Sequence, residues 1–311
     1  MPPGPGRRFE VMPIALRPSV SPHLMAAAAA ILYSAGHSAV KVARIDLDPV
    51  ALFLGRFGIA VLIVLPWWLI RPPRLRGLGV RGWLLLALIS AIRGPGFTIL
   101  VNYGAEGTSS GMMALLIATS AFHAGWLSTL FLREPPTLRW IVACTIAFGA
   151  VALGLYSRTT FTSASLLYPL AIAFAAVLSG LSLLLARGIR NRWGAWEHNT
   201  VTLVIGFAMS LPLLSGPVID QWFAMGPVTL LATVYQGAVL QVLAVFLTFE
   251  AVRRIPVAPV AFYQLLSVAL APLWGWIVLR ESYYLADALA LGFLGLATYV
   301  NIGFRKPAVV R

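Results

Sequence analysis

The stretch TSSGMMALLIATSAFHAGWLSTLFLRE, residues 108–134, decides how the rest of the chain is interpreted. It stays apolar for longer than the roughly 18 residues that a membrane-crossing helix needs, and it ends in Leu132-Arg133-Glu134. Charged residues directly after a long apolar run are typical of a helix that reaches the membrane surface at its last turn. The stretch therefore predicts a transmembrane helix.

A second stretch of the same kind, FYQLLSVALAPLWGWIVLRE, occupies residues 262–281. Its last three residues, Leu279-Arg280-Glu281, follow those of the first stretch by 147 positions. Each stretch precedes one more apolar run, 138–156 in the first case and 284–304 in the second. A period of this kind indicates an internal duplication, which fixes the architecture before any single residue is considered. We expect two copies of one unit.

The composition excludes a soluble protein. Hydrophobic residues make up 59% of the 311 residues and charged residues 11%, whereas a soluble domain carries roughly 25% charged residues. The net charge of +13 would suggest nucleic-acid binding in a soluble chain, but arginines in cytoplasmic loops give the same total. The single cysteine, Cys144, excludes an intrachain disulfide and a cysteine-based metal site. We expect an integral membrane protein with no nucleic-acid partner and no metal.

Ten apolar runs follow a Pro- and Arg-rich start, and each is long enough to cross about 30 Å of hydrocarbon as a helix. They lie near 24–43, 49–70, 82–103, 109–132, 138–156, 165–186, 198–218, 227–249, 256–279 and 284–304. The predicted fold is an all-α integral membrane protein of ten transmembrane helices. We expect a cytoplasmic tail at 1–21, five-helix repeats at 22–158 and 159–305, and a second tail at 306–311.

The distribution of positive charge predicts the orientation. With a cytoplasmic N-terminus, 17 of the 23 Lys and Arg residues fall in inside segments and four in outside segments, namely Lys41, Arg44, Arg158 and Arg280. Such a bias places both termini in the cytoplasm. Because each half holds an odd number of spans, the second half enters from the opposite side. Inverted repeats of this type are typical of secondary transporters.

Several motifs resemble the first two helices of the EamA-type drug/metabolite transporter family. They are Tyr33-Ser34-Ala35-Gly36 through Lys41, then Asp48-Pro49, then Arg56-Phe57; the paired Leu-Arg-Glu ends resemble that family's helix closures. The likeness runs from about 24 to 304, with Tyr33 where the family usually has Trp, and Ala121 and Val268 where it often has Pro. The resemblance implies two inverted five-helix repeats and the transport of a small metabolite through a central cavity. It does not carry over a substrate.

Ionisable side chains inside a span cost at least ~2.5 kcal/mol each, so they are functional candidates. Arg93 lies at the middle of the third run and precedes Gly94-Pro95-Gly96, where we expect the helix to kink or open. Arg93 beside freed backbone groups would bind a carboxylate or phosphate, or else tie neighbouring helices together. Arg56 and Lys41 are the other intramembrane charges. Arg56 would either face the cavity or tie helices, and Lys41 is close enough to the outer end to extend to the interface.

Uncharged candidates for the cavity are polar or aromatic side chains within spans. They are His123, Tyr235, Gln236, Tyr263, Gln264 and Trp126. A buried histidine more often donates to a neighbouring helix than it carries a proton, and tryptophans often belong to an interfacial belt. We name these residues as substrate-binding or gating candidates with those alternatives open.

Absences narrow the function. All ten carboxylates fall in loops or near span ends, so no midplane carboxylate is available for exchange of a proton against a cationic drug. The sequence has no G-x-x-x-x-G-K-[ST], no H-E-x-x-H and no carboxylate pair, and no cofactor is expected. We predict a non-enzymatic secondary transporter, acting as an exporter, for an amino acid or organic anion in a bacterial inner membrane, as a monomer or homodimer. The alternatives are a lipid flippase or passive facilitator and, less favoured, a membrane-embedded enzyme.

Overall fold

The computed structural model describes residues 21–70, 72–73, 79–132, 138–156, 163–190, 195–254, 257–282 and 285–302. Twelve helices run through these ranges. In chain order they are α1 Pro22–Ala43, α2 Pro49–Ile70, α3 Val80–Gly104, α4 Ser110–Ala118, α5 Ser120–Leu132, α6 Leu138–Tyr156, α7 Ser163–Arg190, α8 Ala195–Ser210, α9 Gly216–Ala224, α10 (Pro227–Val234, Tyr235–Ala244 and Val245–Arg254), α11 Val257–Leu279 and α12 Leu285–Ile302.

Helix occupies every one of the ten apolar runs identified in the sequence, and the described residues contain no strand. Two runs are divided. The run at 109–132 breaks at Thr119, whose hydroxyl donates to the Leu116 carbonyl oxygen at 2.6 Å. The run at 198–218 ends in a tight turn at Leu211–Leu213, after which α9 leaves at 108°. The predicted tails at 1–21 and 306–311 lie outside the described residues, apart from Ser21.

Three helical segments of the described chain are long and apolar enough to cross a membrane: Pro49–Ile70, Val80–Gly104 and Pro227–Thr248. The bent pair of α8 and α9 adds a fourth if it is counted as one span. These helices are apolar along most of their length, as contact with lipid requires. The chain is therefore a helical membrane protein.

Helices of the first half of the chain pack directly against helices of the second half. α1 lies against α10 and α11, α2 against α8 and α10, α3 against α7 and α8, and α6 against α12. Small residues permit the close crossings: a Cβ added to Gly237 of α10 would lie 2.6 Å from the Arg56 carbonyl oxygen of α2. Helix association in lipid depends on such close backbone packing. The helices of both halves therefore surround one common centre.

The turn between α1 and α2 is held by Asp48, which caps α2. Its Oδ1 accepts the backbone N–H groups of Val50 and Ala51 at 2.7 Å each, and its Oδ2 accepts Gln221 Nε2 at 2.9 Å. Burial alone would raise the pKa of Asp48, but these hydrogen bonds and the charge of Arg44 lower it below the usual value. The cap therefore fixes α2 against α9 in the charged form of the carboxylate.

Candidate functional site

A cavity of about 300 Å³ lies at the centre of the bundle, and helices from both halves line it. Its walls are mostly apolar, with a limited set of polar side chains. The polar lining comprises Tyr33, His37, Arg56, Arg93, Thr98, Ser179, Asn199, Thr202, Gln236, Gln241 and Ser267. An apolar cleft with a few convergent polar groups is the usual form of a small-molecule site.

Two helices change geometry where they pass this cavity. α3 widens into a π-helical turn at Ile92–Gly96, and α10 does so over Tyr235–Ala244. These are equivalent positions in the duplication, since residues 92–96 shifted by the repeat length of 147 fall at 239–243. π-helical turns occur often at functional sites, and irregular helices at matching positions of two repeats point to a transporter's binding site.

The irregular turn in α3 follows from its sequence. Pro95 has no backbone N–H to donate, so the regular hydrogen-bond pattern cannot continue through it. The helix does not open at this point; it widens and continues to Gly104. Gly94 brings this turn against α8, since a Cβ added there would lie 3.4 Å from the Gly206 Cα. The proline and glycines thus place the preceding Arg93 at the cavity wall.

Arg93 lines the cavity, and its side chain is accessible there although it lies midway along α3. Tyr33 of α1 lines the same cavity and lies near Arg93. Within the described part of the chain, the Arg93 guanidinium has no hydrogen bond and no ion pair. Arg93 therefore presents free donors to whatever occupies the cavity.

Arg56 lines the same cavity from α2 and is 9% exposed. Its guanidinium carbon lies 5.8 Å from the centroid of the Phe57 ring, and its Nε is buried without a hydrogen-bond partner among the described residues. A cation over an aromatic ring gains about 0.5–2 kcal/mol, which offsets only part of the cost of burying it. Arg56 is therefore a second cation without an opposite charge in the part of the chain that the structure describes.

The sequence-predicted site residues separate into two groups. Arg93, Gly94, Gln236 and Arg56 line the cavity, and Pro95 and Gly96 belong to the same π-helical turn. Gln236 holds two elements together there, because its Nε2 donates to the Gly36 carbonyl oxygen at 2.5 Å.

Four other candidates lie outside the lining. Tyr235 donates its hydroxyl to the Leu32 carbonyl oxygen at 2.6 Å, Tyr263 contacts His23 with 3.3 Å between its hydroxyl and Nδ1, and His123 packs against the Phe148 ring. Trp126 is 55% exposed on α5. Gln264 lies on α11, and its side chain falls outside the described part of the structure.

Several lining residues were not among the sequence candidates. Tyr33, His37, Asn199, Thr202 and Ser267 all lie at the cavity. Tyr33 and His37 are one helical turn apart on α1, and Asn199 and Thr202 are one turn apart on α8. Pairs of polar residues at helical spacing within an apolar run were the signal that could have found them.

Lys41 belongs to a separate cluster, which we call the Glu281 junction: Lys41, Thr108, Ser110 and Glu281. Lys41 Nζ donates to Glu281 Oε1 at 2.5 Å and to the Thr108 carbonyl oxygen at 3.0 Å. Glu281 Oε2 accepts the Ser110 backbone N–H at 2.9 Å, at the N-terminus of α4. The carboxylate thus stabilises a helix N-terminus while it pairs with a lysine, and it joins the two halves at the end of the cavity near Val40.

Comparison with known proteins agrees with this arrangement. The EamA-like transporter family matches residues 20–156 and again residues 166–303. One crystal structure of another protein superposes on 90% of this chain and 95% of its own, with a TM-score of 0.62 and 16% sequence identity, which supports the fold alone. No curated protein matches the sequence significantly.

Members of this family are membrane transporters of the drug/metabolite transporter superfamily and not enzymes. The two matches together cover nearly the whole sequence, and the helices they cover are apolar. On the evidence of both matched halves, this chain belongs to the EamA-like transporter family.

Proposed function

We propose that this protein is an alternating-access secondary transporter, working as an exporter, that moves a small metabolite such as an amino acid or organic anion through the central cavity. The observation that carries the proposal is the cavity itself: it lies between the two halves and is bordered by a π-helical turn from each. Rocking of one half against the other around such a site would expose it to each side in turn.

We propose ten membrane-spanning helices in two inverted five-helix repeats, 22–158 and 159–305, with both termini in the cytoplasm of a bacterial cell and the chain in its inner membrane. The charge bias of 17 inside against four outside supports this topology. Under it, the Glu281 junction lies at the outer face. The partners are then the bilayer and a small solute, with no nucleic acid, and the protein acts as a monomer or homodimer.

The charge of the cavity supports export as the direction of transport. A site with Arg56 and Arg93 favours solutes with a negative group. The inside-negative membrane potential drives an anion outward with about 2.3 kcal/mol per elementary charge per 100 mV. The membrane potential therefore favours export of an anion and opposes its uptake.

Flux measurements on the purified chain in liposomes test the proposal. We expect saturable flux of small organic solutes that accelerates when the same solute is present on the far side, because a carrier returns faster when loaded. Arg93→Ala should abolish most of this flux, whereas Arg81→Ala, on the exposed first turn of α3, should leave it intact.

Three results would refute the proposal. Flux without saturation or trans-stimulation would indicate a passive facilitator. Movement of labelled phospholipid between leaflets without solute flux would indicate a flippase. Preference for lipophilic cations over amino acids and organic anions would contradict the charge of the cavity.

A further inference from the structure

The cavity holds two positive charges that nothing in the described protein neutralises. Arg56 and Arg93 both line it, and neither has an ion-pair partner among the described residues. Arg56 is only 9% exposed, and its Nε is an orphaned donor. A buried cation persists only when something pairs with it or solvates it.

The neighbouring groups cannot supply the missing negative charge. Tyr33, which lies near Arg93, carries a phenol, and a phenol with its ordinary pKa of about 10 is neutral at physiological pH. The remaining polar lining from the described residues consists of amides, hydroxyls and one histidine, with no Asp or Glu. The two charges are therefore available to a ligand.

The side chains of Arg56 and Arg93 line the same cavity. The Phe57 ring lies below the Arg56 guanidinium at 5.8 Å, and the same ring lies 3.8 Å from the position of a Cβ on Gly94. Gly94 directly follows Arg93 in the π-helical turn. Both cations line a cavity of about 300 Å³, which is at the small end of ligand sites. We therefore expect one small ligand to contact both.

We propose that the substrate is a small organic dianion whose negatively charged oxygens are held by Arg56 and Arg93 together. This rests on the proposed transport function and narrows its substrate class. A zwitterionic amino acid fits less well, because the described lining offers its ammonium group no carboxylate. Two charges of one sign match a dicarboxylate or a phosphate ester, and guanidinium groups bind both in a bidentate way.

Equilibrium binding tests the assignment independently of transport. The purified full chain in detergent would be titrated with succinate, glycerol 3-phosphate, lactate and alanine, with intrinsic tryptophan fluorescence and thermal unfolding as readouts. We expect saturable binding of succinate or glycerol 3-phosphate, or both, and binding of lactate and alanine roughly 10-fold weaker or more, since one charge-assisted contact is missing. The first two probes separate the dicarboxylate from the phosphate ester.

Charge variants locate the site. Arg56→Gln and Arg93→Gln should each weaken binding of the preferred dianion by about 10- to 100-fold, since a hydrogen-bonded charge pair is lost. Arg56→Lys and Arg93→Lys should retain part of the affinity. Arg81→Gln on the same helix as Arg93 is the matched control and should bind like the unmodified protein.

The outcomes separate this inference from the transport function. Dianion binding that depends on both arginines, without flux in liposomes, would support the site and overturn the carrier. Saturable flux of alanine or lactate that falls in Arg93→Gln but is unchanged in Arg56→Gln would support the carrier and overturn the dianion. Failure of both dianions to bind a folded protein, judged by its cooperative unfolding, would also overturn the dianion assignment.

Discussion

Removing the charge of Glu281 should loosen the end of the cavity at which the two halves are joined. In the Glu281 junction this carboxylate pairs with Lys41 at 2.5 Å and accepts the Ser110 N–H at 2.9 Å. A substitution to glutamine keeps the shape but loses the charge. The ammonium of Lys41 would then lose its opposite charge and contact only neutral oxygen acceptors, such as the Thr108 carbonyl oxygen.

The expected loss of free energy lies between the values measured for exposed and for buried ion pairs. Exposed pairs contribute about 0.2–1 kcal/mol, whereas loss of one partner from a buried pair costs about 3–5 kcal/mol. The side chains of Lys41 and Glu281 are 21% and 16% exposed, so screening by solvent reduces the upper value. We expect about 2 kcal/mol, which is roughly a 30-fold change in a conformational equilibrium.

Cysteine accessibility measures that equilibrium. Val40 lines the cavity next to Lys41 and is 3% exposed, and Cys144 is the chain's single cysteine. In a Cys144→Ala background, Val40→Cys should react with an impermeant maleimide from the outer side about 30-fold faster when Glu281→Gln is added. An unchanged rate would contradict this role of Glu281. So would a double-mutant cycle between Lys41→Gln and Glu281→Gln with a coupling energy below about 0.3 kcal/mol.

Three further perturbations have defined outcomes. Gly94→Val should destabilise the protein by about 1–3 kcal/mol, because even a Cβ added at Gly94 would lie 3.4 Å from the Gly206 Cα. Gly149→Val is the control and should have little effect, because there is open space around Gly149. Equal unfolding temperatures for the two variants would contradict this expectation. Because the pKa of Asp48 is lower in the folded than in the unfolded chain, its carboxylate stabilises the fold at pH values above the unfolded pKa of about 3.9. This stabilisation should disappear as the pH falls through the folded pKa. An acid titration of Asp48→Asn should lack this pH-dependent loss of stability. Reporter fusions at the two termini should both give cytoplasmic signals, and opposite signals would refute the inverted repeats.

The length of the apolar runs made much of the fold predictable. The apolar runs located the helices to within a few residues, because a helix that faces lipid must be apolar along its whole length. Pro95 between two glycines marked the irregular turn of α3. The longer π-helical segment of α10 has no proline, so its local sequence carried no such signal.

The site was only partly predictable because a span that is apolar on every side does not show which face points inward. Neighbouring residues on α10 illustrate this: Gln236 lines the cavity, whereas the Tyr235 hydroxyl donates a hydrogen bond to the Leu32 carbonyl oxygen. Charge identified Arg56 and Arg93 as cavity candidates, since a charged side chain that faces lipid costs several kcal/mol and is therefore expected in the interior of the bundle. The pair of Lys41 and Glu281 joins residues 240 positions apart, which a single sequence does not reveal.

The most direct test is an experimentally determined structure of the full chain with a saturating dianion. The dianion would be succinate or glycerol 3-phosphate, whichever binds in titration. We expect density for that molecule in the cavity, with the guanidinium groups of Arg56 and Arg93 both within hydrogen-bond distance of its anionic groups. Density at another place on the protein, or a cavity in which the two arginines pair with protein carboxylates, would contradict the proposed site.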